Sequence, residues 1–161
     1  MEQTAIEFKN VTKLYGEGGT KAVDDISFEI KEGEFITVLG SSGSGKTTTL
    51  KMINRLIRED EGHITFFGED ISSMNEVDLR RKIGYVVQQI GLFPHMTVAQ
   101  NIATVPELLK WDKKKIQSRI KELLELVQLD PEVFADRKPK QLSGGQQQRI
   151  GVARALAANP K

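Results

Sequence analysis

At 161 residues, 39% of them hydrophobic, the chain has the length of one domain and enough apolar content to bury a core. Its 23 basic and 22 acidic side chains leave a net charge of +1, so no basic excess remains to grip nucleic acid by bulk electrostatics. The absence of cysteine excludes a disulfide scaffold and thiol chemistry, and fits a reducing compartment.

In chain order, residues 5–11 alternate apolar and polar side chains as a half-exposed strand does, and residues 22–30 end in the same alternation. Between them, residues 14–20 form a glycine-rich loop presenting one aromatic residue, Tyr15, which by itself reads as a surface ring packed on its own loop. Residues 31–34 read as a tight turn into Glu34-Phe35-Ile36-Thr37-Val38-Leu39, an apolar run that predicts a buried strand. Then comes Gly40-Ser41-Ser42-Gly43-Ser44-Gly45-Lys46-Thr47, the G-x-x-x-x-G-K-[ST] pattern of a phosphate-binding P-loop. After it, Leu50, Ile53, Leu56 and Ile57 recur at helical spacing. Strand, glycine loop and helix start give an anion a nest of backbone N–H groups at a positive helix end. Lys46 is expected to reach the β- and γ-phosphates and the Thr47 hydroxyl to hold Mg²⁺, with Thr48 closing the phosphate-binding set. The stretch predicts binding of a nucleoside triphosphate.

Residues 62–68 alternate again between glycines and read as a strand, residues 76–82 as a short charged helix, and Ile83-Gly84-Tyr85-Val86-Val87 as a second buried strand running into Gln88 and Gln89. Gly91-Leu92-Phe93-Pro94-His95-Met96 puts apolar residues in a loop. Thr97 is the expected N-cap of a helix through Ile102. Residues 112–129 form the clearest helix, with Ile116, Ile120, Leu123, Leu124 and Val127 on one face; Lys113-Lys114-Lys115 is its solvated first turn and not a binding patch. Pro131 and Pro139 bracket a connector. Ser143 then caps a helix running to about Ala158, with Ile150, Ala153, Leu156 and Ala157 as its buried side. No run approaches the roughly 18 apolar residues of a membrane span. Met1-Glu2 opens no basic-then-apolar secretory signal, so a membrane role is expected to come through a partner.

Taken with the P-loop, Leu142-Ser143-Gly144-Gly145-Gln146 resembles the signature of ABC-type ATPases. Gln147, Gln148 and Arg149, then Val152-Ala153-Arg154-Ala155-Leu156, continue the likeness, and Gln88 ends a strand between the two motifs. The resemblance covers essentially the whole chain. It implies an α/β fold: a P-loop NTPase core with an antiparallel β segment and a helical subdomain. Residues 1–88 would supply part of the core, 89–145 the helical subdomain and 146–161 the signature helix returning to the core.

The resemblance further implies that Tyr15 stacks on the adenine of ATP. Gln88, or Gln89 if the register slips by one, would reach Mg²⁺ and the attacking water, on a loop that touches a membrane subunit. Ser143, Gly145 and Gln146 would meet the γ-phosphate held by the other protomer of a head-to-tail homodimer, or by a paired ABC subunit. Lys46, Gln88 and Ser143 are thus the expected catalytic residues, and His63 and His95 match no catalytic position. The family places an Asp-Glu strand end and a histidine after the signature helix, whereas this chain stops at Lys161. The expectation is a chain incomplete at its C-terminus and inactive alone, with apolar surface and strand edges uncovered.

Residues 86–98 and 105–111 look like those of the bacterial importers of glycine betaine, carnitine and choline. That implies ATP hydrolysis driving compatible-solute import at the cytoplasmic face of the membrane. The expected partners are transmembrane permease subunits and, indirectly, a substrate-binding protein, with no nucleic acid. Two rival readings stay open. One is a soluble ABC ATPase of non-transport function, which co-purification with membrane subunits would separate; the other is a nucleotide-binding but catalytically incompetent fragment.

Overall fold

The computed structural model describes residues 3–16, 18–88 and 91–161. The chain forms two compact units, Met1–Arg80 and Arg81–Lys161. The first is built on a four-stranded antiparallel sheet of order β2-β1-β3-β4, from β1 (Thr4–Tyr15), β2 (Thr20–Lys31), β3 (Glu61–Phe66) and β4 (Glu69–Asp70). Alternation places Phe8 opposite Phe28 on β2 and Ile64 on β3. The two phenylalanine rings stack at 4.5 Å, and Phe8, Val11, Ile64 and Phe66 enter the core. The helices α1 (Lys46–Ile53) and α2 (Glu76–Lys82) add Met52 and Leu79.

The register of β1 slips between Phe8 and Val11, where Asn10 turns to φ 49°. The bulge is held by polar groups: the Asn10 N–H donates to Ser27 Oγ at 2.9 Å and its Nδ2 to Asp25 Oδ1 at 2.9 Å. Across from it, Gly62 sits at φ 84°, and a Cβ there would lie 2.3 Å from the Asn10 carbonyl oxygen, so only glycine lets β3 pass the bulge. Asp60 fixes the entry to β3 by accepting from the Leu14 N–H and from Lys13 Nζ at 3.2 Å. The Leu14 N–H first, and Lys13 after it, hold that carboxyl below the usual carboxylate range. Glu76 ties the start of α2 to Arg58 at 2.8 Å and Arg80 at 3.0 Å.

The second unit is helical: α3 (Val98–Leu108), α4 (Lys113–Leu126), the short α5 (Pro131–Phe134), a 3₁₀ turn (Pro139–Gln141) and α6 (Gly144–Leu156). Each long helix starts on the cap its sequence supplies. Thr97 and Gln100 form a reciprocal capping box, Asp112 accepts from the Lys114 N–H at 2.8 Å, and Ser143 opens α6. Their apolar faces close on Val98, Ile102, Leu123, Leu124, Ile150, Ala153 and Ala157.

Three expectations need correction. Helix α3 runs to Leu108, carrying Pro106 in its buried face. Helix α4 stops at Leu126 because Gln128 turns to φ 58° and the Leu129 N–H reaches back to the Leu124 carbonyl at 2.9 Å. The two predicted buried strands, residues 34–39 and 83–87, are not strands, and no described strand pairs with either. Phe35 and Leu39 are 91% and 90% exposed. A parallel-type strand is apolar because neighbours flank it and layers cover it; without them the same residues stay uncovered.

Candidate functional site

In the first unit the loop after Leu39 bends through Gly43 at φ 83° and Gly45 at φ 86°, and Gly45 caps α1. No side chain caps this helix, in contrast to α3, α4 and α6, and its first turn borders a cavity of about 150 Å³. Gly43, Ser44, Gly45, Lys46, Thr47 and Thr48 line it on the loop side, and Ala22 of β2 on the other. The wall explains the second glycine of the motif. A Cβ on Gly45 would lie 2.2 Å from the Ala22 carbonyl oxygen in a backbone conformation that side chains disfavour.

Lys46 leads α1, and its ammonium folds back over the loop. Nζ donates to the carbonyls of Gly40 at 2.8 Å and Ser41 at 2.6 Å and to Ser44 Oγ at 3.1 Å. Those acceptors are neutral, so a phosphate oxyanion in the cavity would compete for the same ammonium with a charge-assisted bond. Ser42 is exposed in the loop and does not line this cavity. Backbone donors, one preplaced cation and the Thr47 hydroxyl on one cavity fit a phosphate with a hard cation beside it. Tyr15 ends β1 opposite Thr20 of β2, the strand that two residues on supplies the Ala22 wall, and the residue is 44% exposed. Lys13 Nζ lies 5.7 Å from the ring centroid. Ala22 carried no signal in the sequence; it lies where the β1–β2 register shifts, between the Lys13–Val23 and Leu14–Lys21 pairs.

In the second unit, Ser143 Oγ accepts from the Gln146 N–H at 3.3 Å while Gln146 Oε1 accepts from the Ser143 N–H at 2.9 Å. Two residues expected to touch an anion are thus engaged with each other as a capping box, which the sequence reading had seen only as a cap. Gly144 and Gly145 lie exposed, with nothing within 4 Å of where a Cβ would stand, so the helix end opens to solvent. Gln147 Nε2 holds the preceding turn through the Pro139 and Leu142 carbonyls at 3.0 and 3.3 Å. Gln88 lies exposed in a bend, and Gln89 falls outside the described residues.

The Gly91–Thr97 segment is fixed by residues the sequence did not single out. Asn101, fully buried, accepts from the Phe93 N–H at 2.8 Å and donates to the Thr97 carbonyl at 2.9 Å. Arg154 Nη1 donates to the Gly91 carbonyl at 2.8 Å, and burial lowers this guanidinium from the ordinary arginine value. Among the described residues no helix is long and apolar enough to cross a membrane.

Residues 23–161 match the family described as ABC transporter. The glycine betaine/carnitine/choline transport ATP-binding protein of Bacillus subtilis is 59% identical over 155 residues, covering 96% of this chain and 40% of that protein. The glycine betaine uptake system ATP-binding protein of Escherichia coli is 56% identical over 156 residues, covering 97% and 50%. The chain thus spans about half or less of the length of these relatives. Among solved structures, a dimeric ATP-binding cassette in a post-hydrolysis state bound to ADP and Pi superposes with a TM-score of 0.85 at 40% identity, covering 96% of this chain and 70% of that one.

Proposed function

The chain belongs to the ABC transporter family, and from that premise we propose that it is the ATP-binding part of a subunit that hydrolyses ATP to energise an importer of quaternary ammonium compatible solutes. The observation that carries the reading is the uncapped start of α1 bordering a cavity with Lys46 held at its rim. The substrate class rests on the names of its relatives, an osmoprotectant import ATP-binding protein of Salmonella typhimurium at 53% identity among them.

In this reading the loop N–H groups of residues 43–48 bind the phosphates, and Lys46 exchanges its carbonyl partners for phosphate oxygens. Thr47 and Gln88 would hold Mg²⁺, and Tyr15 would stack on adenine. Bound Mg²⁺ supplies neutralisation of the charge on the β- and γ-phosphates. Ser143, Gly145 and Gln146 offer a second helix N-terminus to the γ-phosphate of a facing subunit, so two half-sites complete each other in a head-to-tail homodimer or with a paired ABC subunit. Residues 1–88 act as the nucleotide-binding core part, 89–145 as the helical subdomain and 146–161 as the returning signature helix. The subunit sits peripherally at the cytoplasmic face of the membrane on transmembrane permease subunits, with a substrate-binding protein acting through them.

Lys46→Ala tests this. It removes the preplaced cation while leaving the glycines and Ala22 in place, so the full-length variant should fold and lose tight MgATP binding. Equilibrium titration with a fluorescent ATP analogue reads the loss; wild-type affinity in the variant refutes the assignment.

A further inference from the structure

Arg154 stands in the last turn of α6, about 16 Å along the helix from Ser143 at the ~1.5 Å rise per residue. Besides its bond to the Gly91 carbonyl, its guanidinium lies 5.5 Å from the centroid of the Phe93 ring. Asn101 holds the same segment from α3, with Nδ2 also donating to the Phe93 carbonyl at 3.2 Å. Both residues take main-chain groups of the segment. The path of the chain is therefore fixed while Phe93, Pro94 and His95 keep exposed side chains. Arginine suits this place because one planar group can donate in its plane to a carbonyl while presenting its face to a ring, whereas a lysine ammonium is a point charge without a face to stack.

We infer that Arg154 is a positioning residue that makes the Gly91–Thr97 segment move with α6, so that an anion arriving at the Ser143–Gly145 end is registered in the segment just after Gln88. The inference rests on the role proposed above for the start of α6. A packed helix moves as a rigid rod, and a segment held by its backbone from that rod follows it. Without the guanidinium the segment keeps its hold on α3 through Asn101 and the packing of Leu92 on the shared apolar cluster, and loses its polar tie to α6.

The test uses the full-length protein with its permease subunits, as wild type, Arg154→Lys and Arg154→Ala. Amide hydrogen exchange over residues 91–97 is followed with and without MgATP, alongside permease-stimulated turnover and the KM for MgATP. Arg154→Ala should speed exchange in this segment and abolish its response to nucleotide. Stimulated turnover should fall about 2- to 30-fold, the range of coupling changes seen for such residues, with KM within about twofold of wild type. Arg154→Lys, which keeps the charge and the aliphatic stem, should fold normally and fall between the two. Exchange over 91–97 in either variant that matches wild type, or a KM that rises while kcat holds, overturns the inference. Failure of the wild type to bind MgATP would instead remove the proposed function, and the nucleotide-free exchange comparison would still report on the Arg154 contact.

Discussion

Tyr15 is the residue whose role depends most on chemistry outside the chain. The residue is 44% exposed at the end of β1, and the one described contact to its ring face is the Lys13 ammonium at 5.7 Å. A core ring would be covered, and a ring that only braced its loop would be indifferent to nucleotide. Stacking on a base is worth about 1–3 kcal/mol and needs a flat π-face, not a hydroxyl. Tyr15→Ala should therefore weaken MgATP binding about 10- to 100-fold in the full-length protein, whereas Tyr15→Phe and Tyr15→Trp should stay within about threefold. Isothermal titration of the three variants decides it; equal losses in all three would mean that Tyr15 shapes the loop and does not hold adenine.

At the scale of the element, α6 begins with two demands on one residue. Ser143 satisfies the Gln146 N–H as an N-cap, and it is also proposed to meet a phosphate. Aspartate separates the demands, since it caps as well as serine but sets a negative charge where an anion should arrive. Ser143→Ala should cost about 1 kcal/mol of stability in urea unfolding, and Ser143→Asp close to none. In phosphate-release assays on the full-length protein, Ser143→Asp should lose about a hundredfold in turnover, comparable to losing an oxyanion donor. Wild-type hydrolysis by Ser143→Asp would reduce Ser143 to a cap.

The same helix shows what the sequence could and could not tell. Caps and periodicity are local, so α3, α4 and α6 were legible with their starting residues, as were the hairpin around Tyr15 and the P-loop. Burial is not local. On α1 it is Met52 that is buried while Leu50 stays exposed, as does Leu56 beyond the helix end, against the apolar periodicity of that stretch. Asn101 carried no signal in the sequence and Arg154 only its place in the family likeness, because their partners, Phe93 and Gly91, are brought to them by the fold of the second unit. Ala22 became part of the site through the packing of β2 against the glycine loop, a long-range contact no local pattern announces.

At the scale of the whole chain, the apolar residues without a layer over them carry the strongest consequence. In the first unit, Ile36, Val38 and Leu39 face Ile26, Phe28 and Ile30 of β2 across an open groove of about 720 Å³. In the second, Val86 and Val87 are exposed. Contiguous apolar surface of this kind, with unpaired main chain beside it, drives association of isolated chains. Leu39 of this groove and Phe35 just before it in the chain are 90% and 91% exposed, so changing them should not cost the fold. We expect the 161-residue chain to self-associate at micromolar concentration. Phe35→Lys combined with Leu39→Lys should shift sedimentation velocity toward the monomer, with the far-ultraviolet circular dichroism unchanged. A control pair of lysines at Leu108 and Leu126, also exposed but on separate helices of the second unit, should shift it less. If both pairs acted alike, the association would follow net charge and not this groove, and residues 34–39 would have to be regarded as an ordinary exposed loop.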